Sequence, residues 1–274
     1  MAGRAECAHT EGMNEKVDLR KTLDSYAARR GELREVELPA RNYLMFDGHG
    51  DPNTSPEFEA ALRALYPIAY GLKFRSKREL GRDYVVPPLE GLWWAEDMAA
   101  FTSGRDKAQW DWTLMLLVPD WLGAADVEVA RAGALAKAEK AEKAEKAAGT
   151  GRRSASEAAA GTGAGDGTAT GDGISAAAGT GAGGGTGAGG RTAEAVGRLG
   201  EVRFASLEEG RCVQTLHVGS FDGEGPVIAR MHAFIAEQGL ELAGTHHEIY
   251  LSDTRRTAPA KLRTILRQPV RAVG

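Results

Sequence analysis

The chain has 274 residues, with 34 lysines and arginines against 38 aspartates and glutamates, and a net charge of -4. That balance offers no basic footprint for a phosphate backbone or an anionic lipid surface, so direct nucleic-acid binding is not expected. No apolar run approaches the roughly 20 residues that cross a bilayer, and MAGRAECAHTEG lacks the apolar core of a secretory signal; the expectation is a cytoplasmic protein without a membrane partner, a monomer or weak dimer.

In chain order, residues 1-14 read as a disordered tail and 15-130 as the first half of a folded unit. DLRKTLDSYAAR carries a weak helical pattern and reads as an accessory helix. LREVEL and NYLMFDG are short runs rich in strand formers around Pro39 and Ala40, the usual hairpin signal. After the turn GHGDPNTSP, Thr54 or Ser55 can cap a helix with Pro56 at its first position. Phe58, Leu62, Leu65 and Ala69 give that helix an apolar stripe. YVVPPLEGLWW and WDWTLMLLV follow as strands.

From Arg131 to about residue 198 the composition changes to KAEKAEKAEKAA and then to Gly, Ala, Thr and Ser. So few apolar side chains cannot offset the entropy of ordering. The AEK part is expected to be partly helical and the glycine-rich part a flexible tether between halves. Residues 199-274 then repeat the first layout. VRFASLEE and CVQTLHVG read as a hairpin around Gly210 and Arg211. A helix follows with Asp222 and Pro226 at its start and Val227, Met231, Phe234 and Ile235 on its apolar face, and LAGTHHEIYLS and KLRTILRQ close the unit. Two such units predict an α+β fold: an antiparallel sheet with helices on one side and the other side free to line a groove.

The strand HHEIYLS carries most of the chemistry. On a period of two, His246, Glu248 and Tyr250 share one face, and His247, Ile249 and Leu251 the other. A carboxylate in mid-strand among apolar neighbours is costly to bury without a reason. It either serves a ligand, faces water, or pairs with Arg255, Arg256 or Arg263. Four of the five tryptophans fall in two neighbouring strands. Trp110 and Trp112 point one way, whereas Trp93 and Trp94 point to opposite faces, one toward core and one toward a cavity. Tryptophans can simply fill a sheet interface; facing a carboxylate, they suit a planar aromatic or cationic ligand.

Competing chemistry has little support. HHE lacks HExxH spacing, and His246 with Glu248 supplies two metal ligands at most, so no metal or cofactor is expected. His49 and His217 end equivalent strands at glycine turns and read as rim residues. Cys7 and Cys212 have no metal spacing; Cys212, flanked by apolar residues, reads as a buried hydrophobe before a nucleophile.

The segments NYLMFDGHGDPN, PLEGLWWAED, WDWTLMLLVPDW, EEGRCVQTLHVGSFDGE and HHEIYLSDTRRTAPAKLRTILRQPV, in this order, resemble the GyrI-like small-molecule-binding domains. Within these, the similarity is to the stand-alone branch that includes the cyclopropanoid cyclopropyl hydrolases. The resemblance covers nearly all of residues 18-130 and 200-270. It implies a duplicated βαββ-type unit with pseudo-twofold symmetry and a ligand cleft between the halves, lined by Trp93, Trp94, Glu248 and Tyr250. It further implies a glutamate that activates water against an electrophilic cyclopropane, with Glu248 and Tyr250 in the catalytic positions. The low-complexity insert departs from the family pattern. Two readings without catalysis stand beside the hydrolase: an effector-sensing binding module, and a gyrase-interacting inhibitor or regulator.

Overall fold

The computed structural model describes residues 16-96, 106-153 and 198-274, with side chains of the helix ending at Arg153 described as far as 144. The expectations for residues 1-14 and for the glycine-rich tether lie outside the described residues. Among the described residues, nine strands and four α-helices follow one another. The first half holds the single turn α1 (Leu19–Thr22), β1 (Arg34–Leu38), β2 (Arg41–His49), α2 (Pro56–Glu79), β3 (Leu89–Trp94) and β4 (Asp111–Val118), and is followed by α3 (Ala124–Arg153). The second holds β5 (Arg203–Leu207), β6 (Gly210–Val218), α4 (Gly225–Glu237), β7 (Leu240–Leu242), β8 (His246–Tyr250) and β9 (Arg263–Ala272).

The hydrogen-bonded order is β1-β6-β9-β8-β3-β4-β2-β5, antiparallel throughout, with β7 beside β9. This corrects the two local hairpins. β1 does not pair with β2; it pairs with β6, Leu38 opposite Gly210, while β5 pairs with β2, Leu207 opposite Arg41. The halves exchange their first strands, and the order is symmetric about the central β8–β3 contact. A two-residue hairpin needs φ > 0 in its turn, and Pro39 cannot adopt it. The link therefore carries the chain from one end of the strand order to the other. Leu38 and Arg41 are three peptide steps apart, at most about 11 Å, so the two ends of the sheet approach each other and the sheet curls.

Curling creates two faces. On the inner face Tyr43, Met45, Met115, Leu117, Leu216, Ile249 and Ile265 form one core, completed by Leu19 and Tyr26 from the N-terminal segment. That segment packs as α1, a 3-10 turn (Asp24–Tyr26) and irregular chain, where a longer accessory helix was expected. On the outer face α2 covers the first half through Phe58, Leu62, Leu65, Ile68 and Leu72, and α4 covers the second through Met231 and Ile235. The Ser55 hydroxyl caps α2 by accepting from Glu57 N at 3.2 Å, with Pro56 at its start. In the second half Glu224 stands at the cap of α4, while Asp222 pairs with Lys107 at 3.5 Å.

Helix α3 crosses the expected insert boundary at Arg131. Ala130 and Ala134 are buried against α2, where a Cβ on Gly71 would sit 3.1 Å from that of Ala130. Arg131 Nη1 donates to Leu199 O at 2.5 Å, tying the helix to the start of the second half. Small residues at this crossing let the helices approach closely, so the start of the alanine-rich run packs on α2.

Candidate functional site

The two helices cover the flanks of the outer face and leave its middle, β3 and β8, open between them. A cavity of about 400 Å³ lies there, within the range of small-molecule sites. Its walls are Phe58, Tyr66 and Tyr70 of α2, Trp93 of β3, Phe221 before α4, and Tyr250 of β8; Asp253 to Arg256 and Arg20 form the rim. This corrects the expectation that the groove would lie opposite the helices. Ile249 points into the inner core, and Glu248 and Tyr250 point to the helix side.

Strand register explains the floor. Gly91 is opposite Glu248 and Trp93 opposite His246, so these four share the outer face with Tyr250. A side chain at Gly91 would meet Trp93 Nε1 at 2.7 Å and the Tyr250 hydroxyl at 3.1 Å. Its absence makes room for the bond from Trp93 Nε1 to Tyr250 Oη at 2.8 Å. The phenol lies in the electrostatic field of the Glu248 carboxylate, whose Oε1 lies 3.6 Å from His246 Nε2. Burial, then the carboxylates of Glu248 and Glu224, pushes the Tyr250 phenol well above its usual range. Tyr250 is therefore a neutral hydrogen-bonding group at physiological pH and cannot serve as a base.

The predicted residues separate into three positions. Trp93 and Tyr250 line the cavity, whereas Trp94, half-buried, lies on the opposite face of β3. Glu248 and His246 lie beneath the lining, where Glu248 keeps 11% of its side-chain surface exposed and meets His246 and Tyr250 instead of an arginine. Trp110 and Trp112 do not line it. Trp112 is core, its ring lying where a Cβ on Gly48 would be, 2.1 Å from the nearest ring atom. Trp110 packs edge-on to Trp93 at 5.8 Å and stands behind the wall.

Phe58, Tyr66, Tyr70, Phe221 and Glu224 were absent from the sequence-based site. Tyr66, Tyr70 and Phe74 recur every four residues and stack in series at 6.3 and 6.5 Å, a row readable beside the leucine stripe. Phe221 meets Tyr250 edge-on at 5.7 Å. Of the remaining candidates, the His217 ring bonds Ser220 O at 3.0 Å and anchors the turn that carries Phe221. His49 pairs with Asp111 at 2.8 Å. Burial pushes the Cys212 thiol up to about 12, which leaves it inert as a nucleophile. Among the described residues no group of three His, Cys, Asp or Glu is placed to hold a metal ion, and no helix is long and apolar enough to cross a membrane.

The model of the GyrI-like small molecule binding domain matches residues 188–271. Among solved structures, an uncharacterized conserved protein from Listeria innocua is 31% identical, covering 93% of this chain and 100% of its own, with a TM-score of 0.65. A hydrolase from Listeria innocua is 30% identical over 93% of this chain and 100% of its own, TM-score 0.61. A further structure of a hydrolase from Listeria innocua is 30% identical over 94% of this chain and 100% of its own, TM-score 0.62. A comparison with curated proteins gave no match. On this fold, this domain match and these similarities, the chain belongs to the GyrI-like small-molecule-binding family.

Proposed function

We propose that the protein hydrolyses, and so detoxifies, electrophilic cyclopropane-bearing aromatic compounds held in this pocket. One observation carries the reading: an aromatic cavity whose floor is a neutral phenol, fixed by Trp93 and coupled to the carboxylate of Glu248. Similarity at 30% identity, over 93–94% of this chain, to structures of hydrolases from Listeria innocua supports it.

Stacking between Trp93, Tyr66 and Phe221 would hold a planar ring system. Glu248 takes a proton from water as the water oxygen bonds to the ring CH2. The cyclopropane C–C bond breaks, and its electron pair passes into the conjugated carbonyl, which becomes a phenolate. Tyr250 donates a hydrogen bond to that developing charge, and the proton on Glu248 returns to the phenolate. Ring strain supplies much of the driving force, so general-base catalysis of the usual 10²–10⁴-fold is enough.

The placement of Glu248 beneath Tyr250 instead of on the lining favours a second reading, a binding module without turnover. Incubation with a duocarmycin-type cyclopropane, followed by mass spectrometry, separates the two. Ring-opened product from the native protein and a loss of about 10²-fold or more in Glu248→Gln supports hydrolysis. Tryptophan quenching without product supports the binding module.

A further inference from the structure

Directly behind the pocket floor, on the inner face of the same strands, His247 is fully buried between two carboxylates. Its Nδ1 lies 2.8 Å from Glu209 Oε1 and its Nε2 3.0 Å from Glu90 Oε2. A neutral imidazole has one N–H and one lone pair, so it would turn that lone pair against one of the two carboxylates. An imidazolium instead presents positive charge to both: it donates from Nδ1 to Glu209 and forms an ion pair through Nε2 with Glu90, where the N–H is not aligned for a hydrogen bond. The other oxygens are already engaged: Tyr26 Oη donates to Glu90 Oε1 at 2.6 Å, and Arg267 Nη1 to Glu209 Oε2 at 2.7 Å. Arg267 is completed by Gln214 Oε1 at 3.1 Å and Ser25 O at 2.7 Å.

Charge counting gives the same answer. Two buried carboxylates balance one guanidinium and one imidazolium; without the second proton a net negative charge is left in the interior, which is expensive. Arg267 Nη1, 3.3 Å from Nδ1, opposes a proton there, whereas Glu209 Oε1 at the shorter distance of 2.8 Å favours one. Burial disfavours the imidazolium, but the carboxylate of Glu209, its hydrogen bond to Nδ1 and the Glu90 carboxylate beside Nε2 outweigh it, raising the His247 pKa. Tyr43 of β2 also faces the cluster through Glu90, Glu209 and Arg267.

The connectivity gives this charge a role. Glu90 belongs to β3, next to Gly91; Glu209 to the link between β5 and β6; Arg267 to β9; Tyr26 to the N-terminal segment. β8 has five residues and carries Glu248 and Tyr250 on its other face. We propose that His247 is a positioning residue for the pocket: as an imidazolium bridging Glu90 and Glu209 it fixes β8 laterally against β3, and so holds Tyr250 against Trp93. This stands whether the pocket hydrolyses its ligand or only binds it.

Histidine ring ¹⁵N spectra of the full ¹⁵N-labelled chain, assigned with His247→Gln, test the charge. The expected result is both His247 nitrogens protonated at pH 7; a lone-pair nitrogen, with the proton on Glu90 instead, overturns the proposal. The Trp93 indole N–H resonance, assigned with Trp93→Phe, tests the positioning. His247→Gln should lower the folded-to-unfolded ratio by about 100-fold or more and shift the Trp93 resonance, and adding Glu209→Gln should move both back toward the native values. Lost stability with an unmoved Trp93 resonance shows a merely structural histidine and overturns the positioning claim. If His247→Gln does not fold, the native chain titrated from about pH 6 upward decides: loss of the ring proton and the Trp93 shift must share one midpoint, and separate midpoints overturn the claim. A Trp93 resonance that ignores Tyr250→Phe marks the pocket floor, and not His247, as the failed element.

Discussion

Replacing Gly91 by alanine perturbs the pocket without altering any residue that lines it. The new Cβ would stand 2.7 Å from Trp93 Nε1 and 3.1 Å from the Tyr250 hydroxyl. Gly91 is held by pairing on both sides, opposite Leu114 on β4 and Glu248 on β8, so the backbone cannot retreat and the two side chains must part. The Trp93–Tyr250 hydrogen bond is worth about 0.5–1.5 kcal/mol, and crowding a packed site about 1–3 kcal/mol. The variant should lose about 2–4 kcal/mol in urea unfolding. In ligand titration by tryptophan quenching, displacement of two wall residues should weaken binding by about tenfold or more, one such step being 1.4 kcal/mol. Native stability together with native quenching in Gly91→Ala would refute the description of the floor.

Trp93→Phe should abolish most ligand-induced quenching, whereas Trp94→Phe should leave it intact because Trp94 faces away from the cavity; the reverse pattern reassigns the wall. The buried network predicts a stability optimum bounded on both sides. Burial pushes Glu209 up, but the charges of His247 and Arg267 bring it down to about 2 from an unperturbed 4.5. Its contribution, about 3 kcal/mol, is present above pH ~4.5 and fades as pH falls toward 2. His247, raised from 6.5, contributes fully below pH ~6.5, and that contribution fades as pH rises through its folded pKa. Urea midpoints measured across this range should therefore be highest between about pH 4.5 and 6.5, and an optimum above pH 8 would contradict the bridge. Replacing residues 141-190 by a short Gly-Ser link should preserve melting temperature and ligand quenching, because the packing of α3 rests on Ala130, Ala134 and, at its edge, Ala138. A large loss of either would assign the insert a structural role.

Side-chain alternation in HHEIY was enough to place His246, Glu248 and Tyr250 on one face, as they are. It could not say which face carried the helices. Both faces of β8 are buried, one by Ile249 and His247 and the other by His246 and Glu248, so alternation had no wet side to mark. The strand exchange was hidden because two runs separated by Pro39 and Ala40 have the spacing of a hairpin; the missing Asn-Gly or Asp-Gly signature was the legible warning. Glu90, a carboxylate within PLEGLWW, was visible in the same way as Glu248. Its partners Tyr26, His247 and, through His247, Glu209 come from segments remote in sequence, and no local pattern joins them. The aromatic row on α2 was periodic and readable, but only the gap between α2 and α4 makes it a wall.

Single-turnover reaction of a cyclopropane-bearing duocarmycin-type compound in ¹⁸O-labelled water most directly tests the proposal that Glu248 activates water at this floor. The native protein should give ring-opened product carrying one solvent oxygen, with Glu248→Gln slower by about 10²-fold or more and still binding. Absence of product, equal turnover by Glu248→Gln, or an unlabelled first-turnover product whose oxygen came from the protein would contradict it.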